Sequence, residues 1–226
     1  MFILALESTT EACSVALYSN GSITESFQIA PRQHTQLLLK MVDELLLCEK
    51  VEKEQLNAIA FCRGPGAFTG LRITTGIAQG LAYGLDIPLI PVSSLAALAQ
   101  GAFRITGKTD FLSCLDARKN EVFWGFYNIE QGYATLSGVE SVSSVGKAIE
   151  TLNDYDDPGC YVVGTALSIF EKINEPKLSF VDSVTDNIHY PHAYDIAYLA
   201  ANEFEAGNTV TADQAVPVYL RNKVTD

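Results

Sequence analysis

Gly64-Pro65-Gly66-Ala67-Phe68-Thr69-Gly70 stands between an apolar run, Leu56–Cys62, and a stretch of helical spacing, Leu71–Tyr83. A short apolar run closed by glycine and proline reads as a buried strand. The string is therefore a strand-to-helix junction, the repeating unit of α/β folds. Such a junction can receive an anion, because free backbone N–H groups at a helix start point toward it. No Gly-Lys-Ser/Thr ending follows, so it is not a Walker loop.

Upstream of the junction, Phe2–Leu6 and Cys13–Tyr18 read as strands separated by the polar turn Ser8-Thr9-Thr10-Glu11. Asn20-Gly21 signals a hairpin, Ser22–Ile29 gives a third strand, and Pro31 ends it. A helix is predicted from about His34 to Cys48. Downstream, Ile87–Pro91 is a short strand, and Ser93 or Ser94 caps a helix through about Ala102. The second half repeats this grammar. Phe111–Leu115 and Val122–Asn128 flank the polar turn Asp116–Asn120, with a further strand near Glu140–Val142. Helices are expected at Val145–Leu152, Leu167–Ile173 and Tyr194–Ala206, with a strand at Tyr161–Val163 ending at Gly164. The repetition implies two similar α/β lobes, residues 1–105 and 106–226, with the last helix packing back on the first lobe.

Two helices carry unusual surfaces. Eight of the eleven residues from Leu37 to Leu47 are apolar. Their main stripe covers roughly 200°, where a surface helix needs about 100°. Either this is a central helix wrapped by its own fold, or one face meets a partner. The second helix places Gly76, Gly80 and Gly84 four residues apart. An interior glycine costs about 1 kcal/mol relative to alanine, so close backbone approach to a neighbour is expected, internal or external.

Composition excludes several classes. Apolar residues make up 48% and charged residues 19%, as in a globular protein. No apolar run is long enough to span a bilayer, and the N-terminus lacks the basic region of a signal peptide. Five widely spaced cysteines without a C-x-x-C pair argue for reduced thiols in a cytosolic protein. The net charge of −12 argues against strong nucleic-acid binding by the isolated chain, because phosphate affinity comes from lysine and arginine.

The string Gly64-Pro65-Gly66-Ala67-Phe68-Thr69-Gly70-Leu71-Arg72 closely resembles the signature of the TsaB (formerly YeaZ) family. Ile3-Leu4-Ala5-Leu6-Glu7-Ser8-Thr9, Asp116-Ala117-Arg118-Lys119-Asn120-Glu121-Val122 and Pro217-Val218-Tyr219-Leu220-Arg221 extend the resemblance over essentially the whole chain. Ala67 and Thr74 depart from the usual serine and glycine. The resemblance implies a two-lobed actin/hexokinase-like fold. It also implies a subunit that binds the related catalytic subunit TsaD and works with the ATPase TsaE. Together they transfer a threonylcarbamoyl group to N6 of the adenosine 3′ to the tRNA anticodon, position 37.

The catalytic relative carries an H-x-x-x-H metal pair where this chain has His34 and Leu38, so no metal site or catalytic residue is expected here. Pro191 between His189 and His192 prevents a regular helical pair. Partner-binding candidates are His34, Leu37, Leu38, Met41 and Leu45 on the first helix, and Leu71, Arg72, Thr75 and Gln79 on the second. Glu7, Ser8, Thr9, Gly64, Gly66 and Asp116 occupy turns that hold metal-phosphate in active members of the fold. Here they are read as nucleotide-binding or structural. The expected partners are a TsaD-type subunit, a TsaE-type ATPase, and a second copy when the chain is alone. tRNA is met only through the complex, no cofactor is needed, and the protein is cytoplasmic with no membrane contact. The alternatives are a small-molecule kinase or ATPase of the same fold, and a metal-dependent peptidase.

Overall fold

The computed structural model describes residues 1–154, 160–172, 176, 178–180 and 189–221. Contacts divide the chain into two compact units, Met1–Ala97 with Pro191–Val218, and Leu98–Tyr190 with Tyr219–Asp226. The division falls inside a helix at Ala97/Leu98, rather than in the loop after residue 105. That helix is longer than its sequence pattern suggests, running from Ser94 to Thr106.

In the first unit, strands β1 (Phe2–Glu7), β2 (Ala12–Ser19), β3 (Ser22–Ile29), β4 (Ala58–Gly64) and β5 (Leu89–Ser93) form a sheet ordered β3-β2-β1-β4-β5. The hairpin strands pair antiparallel, while β1–β4 and β4–β5 are parallel. Side chains alternate between faces, and the two faces are built differently. One carries Leu4, Leu6, Val15, Leu17, Ile59 and Phe61, which pack with helices α1 (His34–Glu49) and α2 (Phe68–Leu85). The other carries the row Ala16–Ala5–Ala60, one residue from each of three strands. Helix α6 (Ala193–Glu205) covers this face with buried Ala193, Ala197 and Ala200. Small residues on both sides let helix and sheet approach closely.

In the second unit, β6 (Asp110–Asp116), β7 (Glu121–Glu130), β8 (Tyr133–Ser144), β9 (Cys160–Val163) and β10 (Leu178–Phe180) are ordered β10-β9-β6-β7-β8. Read from its hairpin end, this is the strand order of the first sheet, with β6 in the place of β1 and β9 in that of β4. Helix α3 (Ser94–Thr106) precedes it. Helices α4 (Val145–Asp154) and α5 (Leu167–Phe170) supply Ala148, Leu152, Leu167 and Phe170 to a core with Leu112, Val122, Trp124, Phe126 and Val162. These are the two mixed sheets of a two-lobed actin/hexokinase-like fold.

Three elements depart from the sequence pattern. β8 begins at Tyr133, well before Glu140, because its first half, Tyr133–Gly138, offers only Ala134 and Leu136 in alternation with Thr135 and Ser137, too short a pattern to mark a strand. β10 carries only three residues and has no periodicity to read. Helix α5 ends at Phe170, and Ile173 of the expected helix lies outside the described residues. Among the described residues no helix is long and apolar enough to cross a membrane.

Gly164 follows β9 with φ +108°, and an added Cβ would lie 2.0 Å from the Cys114 carbonyl oxygen. Gly146, in α4, has open space around it. Gly164→Ala is expected to cost upwards of about 3 kcal/mol in urea denaturation. Gly146→Ala should be neutral or stabilising by up to about 1 kcal/mol.

Candidate functional site

The turn after β1 and the junction before α2 are packed into one another. Gly64 has φ +101°, a conformation that favours glycine. A Cβ on Gly66 would meet Thr9 at 2.6 Å, and one on Gly70 would sit 1.9 Å from the Ser8 carbonyl oxygen. Absent side chains thus permit a backbone-to-backbone contact that hydrogen bonds then secure. Ala67 N donates to Thr9 O at 2.7 Å, and Ser8 Oγ donates to Gly70 O at 3.2 Å. Ser8 Oγ also lies 2.5 Å from Thr74 Oγ1, so the threonine at this departure from the signature is used. The other departure leaves Ala67 at the N-cap of α2 without a side-chain cap.

Glu7 is fully buried, and its Oε1 accepts hydrogen bonds from both Thr9 N and Thr9 Oγ1, each at 2.6 Å. Its Oε2 has no partner. Burial pushes the Glu7 carboxyl up to about 7, opposed by Cys62, Thr9 and His192. Cys62 lies 2.9 Å from Ser94 Oγ, and burial together with Glu7 drives its thiol well above the ordinary range. Such a thiol is inert toward electrophiles.

The second unit treats its equivalent turn in the same way. Asp116 Oδ1 accepts the Arg118 amide at 2.8 Å, and its Oδ2 lies 3.7 Å from the Arg118 guanidinium. Asp116 N donates to Thr165 Oγ1, beside Gly164. Arg221 closes the other side by donating to the Ala117 carbonyl and pairing with Glu121. Glu7 and Asp116, each in the turn after the first strand of its unit, therefore both accept the amide two residues on.

The helices present a different surface from the one their patterns suggest. Leu38, Met41 and Leu45 on α1, and Leu71 and Thr75 on α2, are buried in the first unit's core. Gln79 Nε2 donates to Ala212 O and Ala215 O, both at 2.9 Å, and so holds the segment after α6. His34 is half-buried, with Nε2 3.2 Å from Ala12 O, and Leu37 is half-buried too. Most of the wide apolar stripe of α1 is thus covered internally, because α1 lies against β2, β3 and α2 at once. The outward face consists of Leu39, Leu47, Phe68, Arg72 and Tyr83, with Leu47 79% and Tyr83 83% exposed. Arg72 sits over the Phe68 ring at 3.9 Å. A Cβ at Gly76, Gly80 or Gly84 would meet nothing within 4 Å. These glycines are spaced at one helical turn, which puts them on the same side. Leu39 and Leu47 belong to the over-wide stripe of α1 that the sequence shows, yet the candidates drawn from it are their buried or half-buried neighbours, and Phe68 and Tyr83 carry no sequence signal of their own. Among the described residues, no three His, Cys, Asp or Glu side chains converge as metal ligands.

The chain is similar to known proteins over nearly its whole length. A family model described as TsaD, tRNA N6-adenosine threonylcarbamoyltransferase, matches residues 24–225. The tRNA threonylcarbamoyladenosine biosynthesis protein TsaB of Escherichia coli K12 is 40% identical, over 99% of this chain and 96% of that protein. The solved structure of YeaZ from Pseudomonas aeruginosa superimposes with a TM-score of 0.86 at 40% identity, covering 97% of this chain and 99% of that one. A second structure from that organism, described as similar to peptidase YEAZ, gives 0.88 over the same shares.

The buried Glu7 makes stability depend on pH. Its folded value of about 7 lies above the ordinary glutamate value of about 4.5. The stability it contributes is therefore complete below about pH 4.5 and is lost as pH rises to about 7, to the extent of about 3 kcal/mol. Glu7→Gln is expected to abolish this slope. In urea denaturation the variant should match the wild type near pH 4.5 and exceed it at pH 8.

Proposed function

The chain belongs to the TsaB family, and we propose that it is a non-catalytic, cytoplasmic subunit of the machinery that makes threonylcarbamoyladenosine in tRNA. It binds a TsaD-type catalytic subunit through the outer face of α1 and α2 and works with a TsaE-type ATPase. The observation that carries this reading is the open glycine face of α2. Gly76 and Gly80 each cost the helix about 1 kcal/mol relative to alanine, and no atom of the lobe uses the room they make. A second helix laid across them would use it, with Tyr83 and Leu47 as apolar flanks. When the chain is alone, a second copy covers the same face, because a two-fold contact needs only one self-complementary patch. The homodimer and the heterodimer then compete.

A kinase or ATPase would need its turn carboxylates and amides available to metal and phosphate. Here Glu7, Asp116, Thr9 N, Ala67 N and Arg118 N are engaged with one another and with their own turns. Saturable Mg-ATP binding by the isolated chain in calorimetry would favour that alternative. The peptidase label carried by one solved relative finds little support, since Leu38 stands in the second metal-ligand position and is fully buried.

Gly80→Ala is expected to stabilise the isolated chain by about 1 kcal/mol while weakening its association with TsaD. Gly80→Arg and Leu47→Glu should weaken homodimer and heterodimer together by at least about tenfold, with the fold intact by circular dichroism. Loss of the homodimer with unchanged TsaD binding would refute the shared surface.

The net charge of −12 assigns RNA contact mainly to the partners. Filter binding at about 150 mM salt should give the isolated chain a tRNA Kd weaker than about 1 μM. Tighter binding would require a basic surface of its own.

A further inference from the structure

Helix α2 leaves Phe68, Arg72, Gly76, Gly80, Tyr83 and Gly84 exposed. At 3.6 residues per turn they fall in one stripe roughly 160° wide, so they form a single outward face. Its two ends carry opposite charges. Arg72 stands in the second turn, held over the Phe68 ring at 3.9 Å. Asp86 is the exposed C-cap residue, in the left-handed conformation at φ +55°. The first turn has no acidic residue and the last turn no basic one. A cation early in the helix and a carboxylate at its end add to the macrodipole instead of offsetting it. Among the described residues Asp86 has no ion-pair partner. The first unit thus leaves this polarity uncompensated, and the space over Gly76, Gly80 and Gly84, between the two charges, is open.

We propose that α2 of a second copy occupies this face in the isolated chain, laid antiparallel, with Arg72 of each copy seated against Tyr83 and Asp86 of the other. This arrangement rests on the shared outer face proposed above and adds its orientation. A two-fold axis crossing α2 at the level of Ala78 sets Gly76 opposite Gly80. Arg72 lies six residues before that level and Asp86 eight after it. At a rise of about 1.5 Å per residue, the two charges then face each other within about 3 Å along the helix. Arg72 stands opposite Gly84, whose lack of a side chain gives the guanidinium room beside the Tyr83 ring and the Asp86 carboxylate. Each contact occurs twice, as a two-fold interface requires. A parallel copy would instead set Arg72 against Arg72 and Asp86 against Asp86. Two chains of net charge −12 repel one another at long range. Local pairing of opposite charges therefore selects the orientation more than it adds affinity.

Charge reversal in two separate full-length chains tests this. In an Arg72→Glu dimer both contacts become acid against acid, and in an Asp86→Arg dimer both become base against base. By sedimentation velocity, either variant alone should dimerise at least about fivefold more weakly than the wild type, with circular dichroism unchanged. Mixed one to one, the two variants restore both contacts, and the mixture should associate within about twofold of the wild type. A wild-type dimer that Gly80→Arg disrupts, with no recovery in the mixture, overturns the antiparallel orientation and leaves the shared face standing. A wild type that stays monomeric, or a dimer indifferent to Gly80→Arg, overturns both. If a charge variant fails to fold, nitroxide labels on Thr69→Cys in a Cys48→Ser background decide. Antiparallel helices hold the two labels about 27 Å apart along the axis, and parallel helices hold them side by side. Labels side by side overturn the proposal.

Discussion

The close approach of the Ser8–Thr9 backbone to Gly66 and Gly70 is the constraint from which the first unit follows. A methyl group at Gly70 would sit 1.9 Å from a carbonyl oxygen, which no rotamer change can relieve. With the contact made, the first turn of α2 is fixed against the end of β1. Thr74, one helical turn further on, joins through the Ser8 hydroxyl. The direction of α2 sets where α1 finds its second wall, and it also decides which side of α2 is left facing out. The second unit solves the same problem with Gly164 against Cys114. β4 and β9 hold equivalent places in their sheets, so one device has been applied twice, to turns more than a hundred residues apart.

Much of this architecture is legible in the residues because local signals agree with one another. Asn20-Gly21 marks its hairpin, the apolar runs of β1, β4 and β6 are uninterrupted, and the glycine string marks the strand-to-helix junction. The repeated grammar of the two halves anticipates the matching strand orders. What escapes is whatever depends on surfaces brought together by folding. The stripe of α1 was too wide for one wall, but α1 has more than one, and counting apolar positions cannot reveal that. Met41 and Thr75 look outward on a helical wheel and are buried. Gln79 looks free and holds a segment more than 130 residues away. Helix α6 and the β1–β2 hairpin it covers come from opposite ends of the chain, and no window of sequence contains both.

Helix α2 uses glycine for two opposite purposes, and the sequence writes them alike. Gly70 is small because backbone already occupies the space where a side chain would go. Gly76 and Gly80 border open space, so their smallness serves nothing inside the lobe. The helix lacks side-chain capping at Ala67 and carries glycines in its middle, so it holds its shape through tertiary contact more than through intrinsic propensity. Its buried side, Leu71, Thr74, Thr75, Ala78 and Ala82, supplies that contact.

These two uses of glycine bear on how such a chain can act. In a nucleotide-binding member of this fold, the turns after the first strand of each lobe must leave carboxylates and amides available. Here one oxygen of each carboxylate is taken up by an amide of its own turn, and the glycines that would let a phosphate approach let protein backbone approach instead. Filling the turns stabilises the lobe and, on the proposed reading, removes its means of catalysis. What is left for function is the exterior, and the outer side of α2, the Gly76–Gly80–Gly84 face, is a part of it built against the helix's own stability. A cost borne there, with no internal return, is most simply explained if the return comes from another chain.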